Sequence, residues 1–369
     1  MALTSNSKKT CGELLAKILT GAWRATPPPL EISEAQLAVV VQPLLTTSAG
    51  ALAWWRIAQS GDDDVVVRDH AAAAAAELHQ AYRLHTLHSA INEKRIKRVL
   101  IAFDQRRISN LIFKGWVNAI TYPEIALRPF GDIDLLVSES DYPKAQALLL
   151  ELGVDGLMVD LHEEGGKRYE RDFATFHNRA RSIPVGETTT LTMSAEDHLR
   201  LLCFHFFKHG AWRPIWLCDI AAAIENRPAD FDWGYFLGTD ERRMTWVICA
   251  VGLAHLLLDA RIHDTPLADA AQRIPRWLLS AVLVAWSRQT SSNRFVPPKI
   301  VWDLRHPSTT IKLIGRRWAG PIEASYSMGS AFNNMPRLPF QVMRFAQQGW
   351  YYLKYPNDVA ARGRALRYF

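Results

Sequence analysis

The stretch Arg128-Pro129-Phe130-Gly131-Asp132-Ile133-Asp134-Leu135-Leu136-Val137 decides how this chain is read. Two carboxylates flank one isoleucine where an apolar run begins. Side chains two positions apart on a strand share a face, so Asp132 and Asp134 project together while Ile133 and Leu135 turn towards the core. Neighbouring carboxylates repel, and a hard divalent cation such as Mg²⁺ removes that repulsion while also binding phosphate oxygens. An isolated Asp-x-Asp at a strand start is more often a solvated pair, so the flanking sequence has to carry the argument.

Upstream, a strand-like run over 108–113 ends in Lys114-Gly115. A glycine between a strand and a helix lets backbone N–H groups approach a phosphate at the helix N-terminus, and Lys114 adds a positive charge. Downstream, an alanine- and leucine-rich helix over 142–152 closes at Gly153 and leads to a third strand over 157–162. In that strand Asp160 lies between apolar residues, and His162 two positions on shares its face. Arg128 is placed either to clamp phosphate or to pair with an acidic neighbour.

Residues from about 12 to 89 are expected to be helical, broken at Pro27-Pro28-Pro29. Beyond Val185 the pattern is again helical, opening on Ser194-Ala195-Glu196-Asp197 with the spacing of a capping box, and further helices are expected over 215–225, 242–260 and 276–286. The fold class is therefore α+β: a small mixed β-sheet core flanked by helices, with an N-terminal helical region and a C-terminal all-helical domain. The expected divisions are residues 1–95, 96–190 and 191–369.

The formal charge of +6, from 43 basic and 37 acidic residues, suits phosphate-bearing ligands but is too small to mark a dedicated nucleic-acid binder. Cys11, Cys203, Cys218 and Cys249 show no paired spacing, which argues against a zinc ribbon or a disulfide framework. The N-terminus lacks the apolar run of a secretory signal, and the most apolar stretch, 246–258, is too short to span a bilayer and reads as a buried helix. A cytoplasmic location is expected. His205 and His209 are one helical turn apart but lack the glutamate of a metalloprotease helix. His205 and Lys208 are candidates for nucleotide or acceptor contacts, with Asp219 as an orienting partner, and Trp212, Trp216 and Trp233 are candidates for stacking a base or packing a core. The C-terminal segment 341–369 mixes arginine and lysine with aromatics, a composition suited to an anionic partner or to packing on its own domain.

These pieces together resemble bacterial nucleotidyltransferases of the DNA polymerase β-like superfamily. That group has a strand ending in glycine, a strand bearing Asp-x-Asp and a third carboxylate on a neighbouring strand, matched here by Gly115, Asp132 with Asp134, and Asp160. The likeness continues through Arg128-Pro-Phe-Gly131, Asp160-Leu-His162, Asp197-His198-Leu199, the His205 to His209 helix and Trp216-Leu-Cys-Asp219, over roughly residues 95 to 225. Trp116 follows the motif glycine where many members have serine or glycine.

The resemblance implies a polymerase β-like nucleotidyltransferase core and a set of roles. Asp132, Asp134 and Asp160 would be catalytic and would hold Mg²⁺ or Mn²⁺, while Lys114, Gly115, Arg128, Gly131, His205 and Lys208 would contact the nucleotide. The implied reaction moves a nucleoside monophosphate from a nucleoside triphosphate, ATP being expected, to a hydroxyl or phosphate of a small molecule, peptide or protein, and releases pyrophosphate. Phosphoryl or pyrophosphoryl transfer at the same site, or a nucleotide-binding scaffold without turnover, are the alternatives.

Overall fold

The computed structural model describes residues 5–59, 70–163, 171–287 and 318–354. Four helices come first: α1 (Ser5–Leu19), α2 (Glu34–Thr46), α3 (Gly50–Gln59) and the long α4 (His70–Gln105). The three prolines lie between α1 and α2, and α2 starts at a reciprocal capping box in which Ser33 and Gln36 satisfy each other's backbone N–H groups.

The central segment runs β1 (Asn110–Phe113), α5 (Gly115–Ala119), a 3₁₀ turn at Ile125–Leu127, β2 (Ile133–Val137), α6 (Tyr142–Glu151), α7 (Val154–Leu157), β3 (Val159–Glu163), α8 (Phe173–Asn178), β4 (Arg181–Val185) and β5 (Thr188–Thr192). The rest is helical: α9 (Ala195–Lys208), α10 (Pro214–Glu225), α11 (Trp233–Leu237), α12 (Glu241–Leu258), α13 (Ala268–Ala271), α14 (Arg276–Trp286), α15 (Pro321–Ser327) and α16 (Leu338–Lys354).

The strands form one five-stranded sheet in the order β3-β2-β1-β5-β4. β1 is antiparallel to β2 and parallel to β5, β2 is parallel to β3, and β4 is antiparallel to β5, so the sheet is mixed as expected. The β4–β5 hairpin is an addition to the sequence reading, which named no strand between 162 and 194 and took the chain beyond Val185 as almost entirely helical. Its signals are the turn glycine Gly186, at φ 65°, followed by the β-branched run Thr188 to Thr190. The Thr192 hydroxyl donates to the Ile112 carbonyl at 2.6 Å and fastens the hairpin to β1.

The period-two rule sorts the sheet into two faces. Ile133, Leu135 and Val137 join Ile112 against Ile96, Val99 and Phe103 of α4 and Ala145 and Leu148 of α6. Leu136 turns the other way, with Leu111 and Phe113 of β1 and Phe173 and Phe176 of α8. Asp134 and His162 lie on this second face.

A separate apolar core joins the N-terminal helices to the C-terminal ones, from Leu15, Ile18 and Leu44 to Leu202, Phe206, Leu253 and Trp286. α1 packs along α14, where a side chain at Gly12 would meet the Leu283 carbonyl oxygen at 2.3 Å. The expected apolar helix over 246–258 is all of α12 beyond its first five residues, largely buried. All four cysteines are free and buried. Among the described residues no helix is long and apolar enough to cross a membrane. Of the basic, aromatic C-terminal segment, 355–369 lies outside the described residues, and its first part is α16, where the buried Arg344 donates to Gln347.

Candidate active site

Sheet register assembles the site. Asp134 is paired across β2 and β1 with Phe113, and across β2 and β3 with Asp160, while Leu136 is paired with His162. Adjacent strands lie about 4.8 Å apart, so residues distant in sequence become neighbours. Asp134, Asp160 and His162 offer ligand atoms that all lie within 4.8 Å of one another. His162 Nε2 is 2.8 Å from Asp134 Oδ1 and 3.2 Å from Asp160 Oδ2, and both carboxylates can only accept when ionised, so Nε2 carries the proton that joins them. The imidazole is buried and tilted against the Phe113 ring at 5.0 Å. The Asp160 side chain, by contrast, is 54% exposed, so the site opens at β3.

Lys114 closes the other side. Its Nζ is 2.9 Å from Asp134 Oδ1 and 4.6 Å from the Phe113 ring centroid. Burial acts to raise the Asp134 carboxyl, but the Lys114 charge and the His162 hydrogen bond outweigh it and hold the group below the ordinary carboxylate range. Asp132 is shifted the opposite way. Withdrawal from water among its neighbours, then the Asp134 charge, raises it, although it still reaches solvent. Two carboxylates of one motif are thus shifted in opposite directions.

The turn that carries Lys114 is strained. Lys114 adopts φ 55°, ψ −142° and Gly115 φ 22°, a conformation that costs a non-glycine residue on the order of 1–3 kcal/mol. At Gly115 a Cβ would lie 3.2 Å from the Asp132 carbonyl oxygen. The Lys114 N–H donates to His198 Nε2 at 3.3 Å, so a buried histidine of α9 pins the turn. Burial, followed by the charges of Arg181, Lys114 and Arg128, lowers His198 to about 3. It is therefore neutral and a competent acceptor.

The other expected residues are placed as follows. Arg128 takes the acidic partner: its Nη2 donates to Asp219 Oδ2 at 2.6 Å and its Nε lies 3.1 Å from each carboxylate oxygen. Asp219 also accepts from Asn118 at 2.9 Å and Tyr122 at 3.0 Å, which makes it the anchor of that loop. Gly131 is exposed, and a side chain there would meet open space, so no close approach calls for glycine. His205 stacks edge-on against Trp216 at 4.7 Å and lies 4.5 Å from the His209 ring. Burial first, then the charges of Lys114, His209, Arg128 and Lys208, drive His205 well below the usual histidine range. Lys208, half-buried, ends α9. Trp212 and Trp216 share this cluster at 5.8 Å, whereas Trp233 packs separately on Phe231 and Phe236.

Sequence reasoning named His198 only within the Asp197-His198-Leu199 piece of the resemblance and gave it no role, did not pick out Arg213, and noted His162 only as facing the carboxylates. His162 was findable from its period-two spacing to Asp160. His198 carries no local signal, because it meets Lys114 across 84 positions of chain.

With this geometry in place the chain can be assigned. It belongs to the family described as uncharacterised nucleotidyltransferase, whose model matches residues 49–259, more than half of its length. No curated protein and no solved structure matches it.

Proposed function

We propose that this protein transfers a nucleoside monophosphate from a nucleoside triphosphate, with ATP the expected donor, to a hydroxyl or phosphate group of a small-molecule, peptide or protein acceptor, releasing pyrophosphate. The observation that carries this reading is the register that stacks Asp134 beside Asp160 with His162 between them. The donor set suits a hard divalent cation: Asp134 and Asp160 supply oxygens and His162 orients the pair, while Asp132, exposed just before β2 and outside that group of three, is the further carboxylate of the motif. Oxygen-rich sites of this kind favour Mg²⁺ or Mn²⁺ over zinc. When bound, such a cation supplies Lewis-acid stabilisation of phosphate charge and acidifies an acceptor hydroxyl.

The chain's own residues do the rest by positioning and charge. Lys114 brings an ammonium to the edge of the carboxylate cluster, where oxygens of a triphosphate compete for it. Gly115 opens the strand-to-helix turn to a backbone approach. His205 and Trp216, in edge-on contact at 4.7 Å, are the aromatic pair available to flank the base or the acceptor.

The test uses ATP labelled at the α or at the γ phosphate, incubated with pooled small-molecule and peptide acceptors. The α label should enter product with release of pyrophosphate, EDTA should stop the reaction, and Mg²⁺ should restore it. Transfer of the γ label alone, or full transfer in chelator, would overturn the proposal.

A further inference from the structure

Arg213 stands directly before α10, between two indoles. Its guanidinium carbon is 4.8 Å from the Trp212 ring centroid and 5.3 Å from that of Trp216. Its Nε is shut off from solvent and has no hydrogen-bond partner among the described residues. A buried N–H of a permanent cation left without an acceptor is costly, and such groups call for a ligand or water. The Arg128 charge repels Arg213, while the Asp132 charge attracts it.

The placement follows from the helix. Arg213 is the extended residue that caps α10, and Trp216 and Asp219, three residues apart within the helix, fall on one side of it. At the far end of that stripe Asp219 is tied to Arg128 and to Asn118, which belongs to α5 just after Gly115. The tie draws the stripe against the segments that carry Lys114 and Asp132. Trp216 also receives His205 at 4.7 Å and His209 at 5.3 Å, so the indole supporting Arg213 is itself braced. The result is a guanidinium oriented by two indoles at the start of a helix whose Asp219 is tied to the loop carrying Arg128, with its Nε still without an acceptor among the described residues.

We propose that Arg213 is a phosphate-binding residue of the nucleotide site, presented by Trp212 and Trp216 to the triphosphate whose divalent cation Asp132, Asp134 and Asp160 would hold. The assignment rests on the nucleotide-donor reading given above. A guanidinium fork matches phosphate oxygens in two parallel hydrogen bonds, which an ammonium cannot do. Stacking on indoles fixes the plane of the fork beforehand and reduces the ordering cost of binding.

Calorimetric titration of the full chain with Mg²⁺·tripolyphosphate and with Mg²⁺·ATP tests this in wild type, Arg213→Met, Arg213→Ala and Arg213→Lys. Arg213→Met keeps an apolar stem against the indoles and guards against a folding defect. Arg213→Met and Arg213→Ala should weaken both ligands by about tenfold to a hundredfold at an unchanged melting temperature, and Arg213→Lys should recover only part of that loss. Unchanged affinity for tripolyphosphate in Arg213→Met overturns the assignment, as does a loss confined to the acceptor KM. The two readings separate cleanly. Wild type that binds tripolyphosphate through Arg213 but transfers nothing keeps this site and removes the reaction, transfer by an Arg213→Met protein with normal tripolyphosphate affinity does the reverse, and wild type that binds neither ligand removes both.

Discussion

Two buried carboxylate–cation groups, close together in the fold, are built to different ends. Asp219 is fully enclosed and takes hydrogen bonds from Arg128, Asn118 and Tyr122, so both of its oxygens are satisfied. Asp134 is nearly as buried, at 7% side-chain exposure, but Lys114 and His162 crowd onto one of its oxygens, and it adjoins Asp132 and Asp160, both open to solvent. The backbone that delivers Lys114 is strained, whereas Arg128 needs no positive φ. Burial alone therefore does not separate a saturated ion pair from one that keeps open carboxylates beside it. The distinction lies in how completely the acceptors are satisfied and in whether uncompensated charge faces water.

The sharpest way to break this contrast is Asp134→Asn. The amide keeps the shape but not the charge, so nucleotidyl transfer should fall by about a thousandfold or more, while the folded state persists by circular dichroism. Wild-type turnover in that variant would move the chemistry elsewhere. The mirror experiment, Asp219→Ala, leaves the Arg128 guanidinium buried without its partner and should cost about 3–5 kcal/mol in urea unfolding. If instead it spared stability and removed turnover per folded molecule, the two groups would have to exchange roles.

A smaller effect probes the pin beneath Lys114. His198 is lowered to about 3 by burial and by the nearby positive charges, from an ordinary value of 6.5. The unfolded chain then takes up the proton first as pH falls, so the stability owed to neutral His198 is whole above about 6.5 and drains away between there and about 3. By pH 5 the loss from this one group is about 2 kcal/mol. His198→Gln keeps an acceptor for the Lys114 N–H but does not titrate, so its unfolding free energy should fall by about that much less between pH 7 and pH 5. Equal losses in the two proteins would show that His198 is not held neutral in the fold.

The sequence by itself determined most of the elements and which motif residues share a face. The 133–137 strand, the helix closed by Gly153 and the capped helix after Ser194 follow from side-chain period and capping, which are local and act within a few residues. The same period put Asp132 with Asp134, and Asp160 with His162, each pair on one side of a strand. Which strands lie next to one another was decided only in three dimensions. The pairing of Asp134 with Asp160, the hairpin of β4 and β5 joined to β1, the grip of His198 on Lys114 and the choice of Asp219 as the partner of Arg128 all join residues far apart in the chain. Such contacts depend on packing that excludes water and on matching each buried donor to an acceptor, and neither requirement is written in any short window of sequence.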